Sequence, residues 1–312
     1  MSDAHLTSRA PAVPTAPVRP PGSFHDVPGW FFPTDVVLFD RILGAQAGEQ
    51  RRGDLLEMGA YLGKSAIFMG GHLAPGESFT VCDLFGSEAP DGDNDSEVRG
   101  SYATLSRRAF ETNYLAFRDE LPRVLQAPTS AVPGTVADGS CRFVHIDASH
   151  LYEHVRADIA AARSALQPDG IVVLDDYRSE HTPGVACATW QAVLEEGLRP
   201  VCVSPNKFYG TWGDPEPLRE KLVAALRGRD DCGLSTQDVA GHRLVIVNGR
   251  KAQPPRLPAS RHRGPDRPAV ARPRSGNRGG LRRLAKDWLP PAVHRSLGRG
   301  LRAARRRRSL AG

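Results

Sequence analysis

Two short apolar runs, Phe143-Val144-His145-Ile146 and Ile171-Val172-Val173-Leu174, stop abruptly on carboxylates: Asp147 in one case, Asp175 and Asp176 in the other. Short runs of β-branched and aromatic residues read as buried strands. Between them the period changes. Val155, Ile159, Ala162 and Leu166 follow one another at intervals of four, three and four residues, which predicts a helix over 152–166. Gln167-Pro168-Asp169-Gly170 reads as its stop. Strands joined by a helix in a parallel sheet lie about 4.8 Å apart and run the same way, so their C-terminal ends open at one edge. The pattern therefore gathers Asp147, Asp175 and Asp176 in one crevice. Three carboxylates there repel one another unless a cation, a proton or a donor-rich ligand lies among them.

The same alternation runs along the chain. Val37, Leu38 and Ile42 share one face of a helix predicted over 34–47, with Thr34 as its N-cap. Further strands are predicted at 54–58, 78–83, 123–127, 199–203 and 243–247, and helices at 64–73, 185–196 and 215–227. Strands alternating with helices specify an open α/β sheet with helices on both faces, and such sheets bind ligands at the carboxyl ends of their strands. Residues 86–121 interrupt the alternation as an insertion. It comprises an acidic loop and a predicted helix over 102–121 carrying Leu105, Ala109, Phe110 and Tyr114, placed to fold over the crevice as a lid. Asp91, Asp93 and Asp95 resemble the start of a calcium loop. Ser96 stands where that loop needs Gly and Tyr102 where it needs Glu, which argues against calcium.

Composition changes this picture at the two ends. Residues 1–22 are rich in Pro, Ala and Ser without apolar periodicity and read as a flexible leader. They lack the apolar stretch of a secretory signal, and no run of about 18 apolar residues occurs, so a cytoplasmic protein is expected. Residues 251–312 hold 18 Lys and Arg against Asp266 and Asp287, whereas the rest of the chain holds 23 basic and 33 acidic residues. This Pro- and Arg-rich tail is expected to be largely disordered. Leu281, Leu284, Trp288, Leu289, Val293, Leu297 and Leu301 could form short basic amphipathic helices, broken at Pro290-Pro291. Such a segment could lie on an anionic inner membrane surface, bind nucleic acid nonspecifically or be a solvated extension, while specific nucleic-acid binding is not expected. Residues 23–250 then form the folded domain. The five cysteines are scattered without a C-x-x-C pair, which argues against zinc and disulfides. Cys82, Cys141 and Cys202 read as buried small hydrophobes.

The first predicted strand leads into Glu57-Met58-Gly59-Ala60-Tyr61-Leu62-Gly63-Lys64-Ser65. Glycines at a strand-to-helix turn let the backbone come close to a ligand, and the free N–H groups of the helix start point at it. A Walker loop needs four residues before its Gly-Lys-Ser where this chain has three, and the dinucleotide fingerprint lacks its middle glycine. S-adenosylmethionine fits better. It carries a cationic amino group and a ribose diol, and so needs an acid at the first strand and another after the second; Glu57 and Asp83 stand there. A glycine turn flanked by solvated acids is the plain alternative.

Four motifs in this order, Glu57-x-Gly59-x-x-x-Gly63-Lys64-Ser65, Asp83-Leu84-Phe85, His145-Ile146-Asp147-x-Ser149-His150-x-Tyr152 and Val173-Leu174-Asp175-Asp176-Tyr177, resemble the class I methyltransferases grouped with macrocin-type sugar O-methyltransferases and the related cephalosporin-hydroxylase-like proteins. The resemblance spans about residues 34–250. It implies a Rossmann-like fold with a mostly parallel seven-stranded sheet and S-adenosylmethionine as cofactor. Cofactor contacts would come from Glu57, Gly59, Tyr61, Gly63, Ser65, Asp83, Ser130 and Asp147. It further implies a magnesium ion on Asp147, Asp175 and Asp176, with His150 as the base beside Asp147. Members often carry Gly where this chain has Ala148. The expected acceptor is a hydroxyl of a sugar or polyol, in a glycosylated natural product or glycan; a homo-oligomer is compatible with this reading. A catechol or phenol acceptor, or a non-catalytic basic-tailed adaptor, are the competing readings. Tyr177 and Arg178 are candidate acceptor contacts, and His145, inside its strand, reads as a core histidine.

Overall fold

The computed structural model describes residues 18–87, 105–249 and 252–263. The acidic loop from 88 and the tail helices proposed for 281–301 lie outside the described residues. Six predicted strands form: β1 (Asp54–Met58), β2 (Phe79–Asp83), β3 (Arg123–Gln126), β4 (Cys141–Ile146), β5 (Leu166–Leu174) and β6 (Arg199–Val203), with β3 at the edge of the sheet. Two strands, β7 (Phe208–Thr211) and β8 (Gly233–Val239), were not predicted, and β9 (His242–Asn248) ends the sheet-forming region. The sheet order is β3-β2-β1-β4-β5-β7-β6-β9-β8, nine strands rather than seven. Its first seven positions hold the parallel strands β3, β2, β1, β4 and β5, then β7, antiparallel to both β5 and β6. The β8–β9 hairpin adds two strands beyond β6, through the pairing of Val203 with Ile246.

Both faces of the sheet are covered, so the strand side chains alternate between two cores. One contains Leu55, Phe143 and Val173 with Phe39 from α1 (Pro33–Gly48), Phe68 from α2 (Lys64–Met69) and Phe110 from α3 (Arg107–Leu115). The other contains Leu56, Val144, Ile146, Val172 and Leu174 with Val155 and Ile159 of α4 (Tyr152–Ala165) and Val185 and Ala188 of α5 (Pro183–Glu195). The last helix, α6 (Glu216–Leu226), packs Leu222 and Leu226 onto the first core. Cys82, Cys141 and Cys202 are buried and unpaired. Among the described residues, no helix is long and apolar enough to cross a membrane.

Three local expectations change. Helix α1 begins at Pro33, whose fixed φ suits the first helical position, with Phe32 as N-cap. Thr34 is therefore inside the first turn, and its hydroxyl donates to the Gly249 carbonyl at 2.7 Å instead of capping. Gln167-Pro168-Asp169-Gly170 does follow the end of α4, but it lies within β5: the ladder slips between Cys141 and Phe143, and the extra residues are absorbed as a bulge. The helix predicted over 102–121 is confined to Arg107–Leu115, with the Ser106 hydroxyl accepting the Ala109 N–H. It is docked into the core, with Phe110 and Tyr114 buried and the Asn113 side chain donating to Leu62 O.

The described part of the segment assigned to the tail is folded against the domain. Ala252 and Ser260 are buried, the Ser260 hydroxyl donates to Pro21 O at 2.6 Å, and the Arg261 N–H donates to Ala116 O at 2.8 Å. Residues 252–263 thus tie the last strand to the leader and to the turn after α3.

Candidate active site

The strand order reverses at β1 and β4, where an open sheet leaves its crevice. Just beyond their C-terminal ends the two strands are pinned together: the Asp147 N–H donates to Met58 O at 2.7 Å. Gly59 follows with φ +81°, and a β-carbon on it would lie 2.0 Å from the Asp147 carbonyl oxygen. Gly63, at φ +89°, would drive its β-carbon to 2.9 Å from the Phe110 ring. The glycines therefore serve close approach within the chain, to β4 and to α3.

Asp83 closes the same turn. Its Oδ2 accepts the N–H groups of Ala60 and Tyr61 at 2.7 and 2.9 Å, and its Oδ1 accepts that of Phe85 at 2.7 Å. Burial raises its pKa against the pull of these three donors. Two N–H groups of the glycine turn, ahead of the helix start, are thus satisfied by Asp83. Tyr61, also at positive φ, is half-buried and stacks on Trp30 with 5.7 Å between ring centroids. Ser65 is buried in the first turn of α2.

Glu57 is fully buried and does not face an open crevice. Its Oε1 lies 2.8 Å from His145 Nδ1, while Oε2 makes no hydrogen bond. Burial pushes its pKa to about 8, overcoming the nearby Ser65 hydroxyl and the Lys207 charge. His145 is held neutral by burial and by Lys207, which lower its pKa well below the usual value. Its Nε2 accepts from Lys207 Nζ at 3.1 Å, a network that assigns the proton to Nδ1, donating to Glu57. His145 is a satisfied core histidine.

The adjacent acids after β5 diverge. Asp175 turns inward: its Oδ1 accepts from the Asn206 side chain and from the Asp176 N–H, and its Oδ2 accepts from Lys207 Nζ. Asp176, at φ +53°, turns toward the segment between β4 and α4, where its Oδ2 lies 3.0 Å from His150 Nε2, while its Oδ1 accepts the Ser179 hydroxyl at 2.6 Å. Burial alone would raise the Asp176 pKa, but His150, Ser179 and Lys207 hold it well below the carboxylate range. Asp147 shows the opposite behaviour: burial and the neighbouring Asp175 carboxylate raise it well above that range. Donor atoms of Asp147, His150 and Asp176 all lie within 4.8 Å of one another, and so do those of His145, Asp147 and Asp175.

Lys207 was not singled out from sequence. It stands in the tight Ser204-Pro205-Asn206-Lys207 turn, where Ser204 Oγ accepts the Lys207 N–H at 2.8 Å, and β7 follows at once. A lysine between that turn and the apolar Phe208-Tyr209 was the available signal. Although burial opposes its charge, Asp175, Asp147 and Asp35 hold its pKa above the usual value. Ser130 is exposed on the turn after β3, and Thr129 lies beside the buried Asp158, whose pKa burial raises to about 6. Tyr177 packs on Phe208 with 5.4 Å between centroids, and Arg178 is exposed.

Comparison with known proteins relates this segment to a described family. Residues 56–177, which run from β1 to just past Asp176, match a family described as a methyltransferase domain. No curated protein matches the chain. Among solved structures, the O-methyltransferase NovP is similar at 19% identity and a TM-score of 0.49, over 58% of this chain and 80% of that one. CalS11, a TDP-rhamnose 3'-O-methyltransferase of calicheamicin biosynthesis, is similar at 19% identity and a TM-score of 0.40, over 58% and 80%. MycE, solved with Mg and SAH, is similar at 16% identity and a TM-score of 0.35, over 57% and 49%. Residues 56–177, the segment that carries the glycine turn and the acids after β4 and β5, are thus similar to a methyltransferase domain.

Proposed function

We propose that the protein is an S-adenosylmethionine-dependent enzyme that methylates a hydroxyl group of a sugar or similar polyol. The observation that carries this reading is the pairing of His150 with Asp176 beside Asp147 at the C-terminal edge of β4 and β5. Bound S-adenosylmethionine supplies a methyl group on a sulfonium, so the protein has to align an acceptor oxygen and remove its proton. An alcohol, with a pKa close to the value of about 15.7 for bulk water, is a poor nucleophile at neutral pH. The Asp176 carboxylate accepts the Nε2–H of His150, a tautomer that makes Nδ1 the basic nitrogen to take the acceptor proton.

On the cofactor side, the 59–63 turn with Tyr61, Ser65 and the exposed Ser130 frames the site. Asp83 uses three of about four lone-pair positions on its carboxylate, which leaves it one for a ribose hydroxyl. Glu57 supports this half from below, through His145. The acid cluster fits a magnesium ion: its acids offer carboxylate oxygens, and it contains no cysteine. Such an ion, when bound, would lower the pKa of an acceptor hydroxyl and favour vicinal diols that chelate it.

The test is turnover of a vicinal-diol sugar against its monodeoxy analogue and against a catechol, each with and without chelator. The proposal expects the diol sugar to be preferred, with activity lost to chelator and regained with Mg2+. Equal rates with the deoxy sugar, or preference for the catechol, would remove the sugar-diol reading. Activity indifferent to chelator would remove the metal.

A further inference from the structure

Two overlapping triads converge at the edge of β4 and β5, and they share Asp147: an inner one with His145 and Asp175, and an outer one with His150 and Asp176. The inner triad already contains a cation. Lys207 Nζ donates to Asp175 Oδ2 and lies 3.1 Å from His145 Nε2, and those two acceptor atoms are themselves 4.0 Å apart. The other oxygen of Asp175 is taken by Asn206 and by the Asp176 N–H. Three of the about four lone-pair positions on Asp175 are therefore taken by donors of this chain, and the remaining one is on Oδ2, where the Lys207 ammonium opposes a second cation. Asp176 is placed differently, with its Oδ2 on the side of His150 and Asp147.

We propose that Lys207 is a positioning residue that serves as the built-in cation of the inner triad, so that Asp175 supports the site without ligating metal and a divalent ion rests on Asp147 and Asp176 alone. This inference rests on the metal-assisted reading above. Two carboxylates suffice for magnesium, which usually keeps several waters and completes its shell with substrate oxygens. Lys207 cancels the charge of Asp175 and fixes its carboxylate, which in turn accepts the Asp176 N–H and sets that residue's left-handed backbone. His150 remains on Asp176 as the base.

The test is Mn2+ affinity by calorimetry and electron paramagnetic resonance, without cofactor or acceptor. Asp175→Asn removes the ion-pair partner of the Lys207 ammonium, leaving more of its charge to act on Asp147 beside the site, and should weaken Mn2+ binding at least tenfold. Adding Lys207→Met to Asp175→Asn removes that charge and should restore affinity to within about threefold of the wild type. A double variant as weak as the single one would make Asp175 a ligand and overturn the proposal. A crystal of the wild-type protein soaked in Mn2+ gives the same decision without a variant. The anomalous peak should fall on Asp147 and Asp176 with Asp175 still on Lys207, and a peak bonded to Asp175 would overturn it. A wild-type protein that binds no Mn2+ would instead remove the metal-assisted reading, and this one with it.

Discussion

Gly59 and Asp147 come into backbone contact where β1 and β4 end, so closely that a β-carbon on Gly59 would sit 2.0 Å from the Asp147 carbonyl oxygen. This contact joins the two halves of the site, the glycine turn and the acid cluster. Gly59→Ala must either separate the strands or strain a residue at φ +81°. It should lower stability by about 3 kcal/mol or more and weaken S-adenosylmethionine binding in parallel. Denaturant melts and calorimetry check this; an alanine variant of wild-type stability would show that the contact is dispensable.

Asp83→Asn replaces an acceptor of three backbone N–H groups by one that offers a single oxygen. At least one buried donor loses its partner, at a cost of about 1–3 kcal/mol. Hydrogen exchange at Ala60 and Tyr61, or at Phe85, should quicken in the variant. Unchanged exchange at all three would contradict the role given to Asp83 here.

Glu57 predicts a pH signature. A carboxyl with a folded pKa of about 8 against an ordinary 4.5 holds its proton more tightly in the folded state. Its contribution to stability is therefore fully present below pH 4.5 and is lost as pH rises to about 8, after which it is constant. Glu57→Gln has no such proton to lose. The Tm of the variant minus that of the wild type should climb between pH 4.5 and 8 and then level off; a flat difference would mean that Glu57 is ionised throughout.

The strap at 252–263 separates two truncations. Ending the chain after residue 250 removes the buried Ala252 and Ser260 and the bonds to Pro21 and Ala116, and should cost about 2 kcal/mol or more. Ending it after residue 263 should leave the melting curve unchanged while removing 49 positions, 14 of them Lys or Arg. Association with anionic vesicles, the role expected of that basic segment, should then disappear in the second truncation. Vesicle binding that survives would place the membrane contact in the folded domain.

Much of the frame was legible because central parallel strands are buried on both faces and so form continuous apolar runs, as at Leu55–Met58, Phe143–Ile146 and Ile171–Leu174. The C-terminal ends of those runs gave the site's edge. Strand β8 was illegible for the opposite reason: Ser235-Thr236-Gln237-Asp238 is an exposed polar edge paired with β9, and only Leu234 and Val239 of the strand are half-buried against the cores. Strand β7 is four residues long and interrupted by Gly210. The divergence of Asp175 and Asp176 followed from their adjacency, but which of them turned inward depended on Lys207, 31 residues beyond Asp176 and reached only through β6 and β7. Motif spacing likewise placed Asp83 and Glu57 at the cofactor half, without revealing that Asp83 holds the turn's own N–H groups or that Glu57 faces His145.

The central claim is that the Asp176-held His150 draws the proton from an acceptor hydroxyl during methyl transfer. It is tested most directly by following a labelled methyl group from S-adenosylmethionine onto a sugar-diol acceptor with wild-type and His150→Ala enzymes. The account predicts label on a sugar oxygen, with kcat falling by about 10²–10⁴ in the variant while its fold and cofactor affinity are preserved. Undiminished transfer by the variant would contradict it.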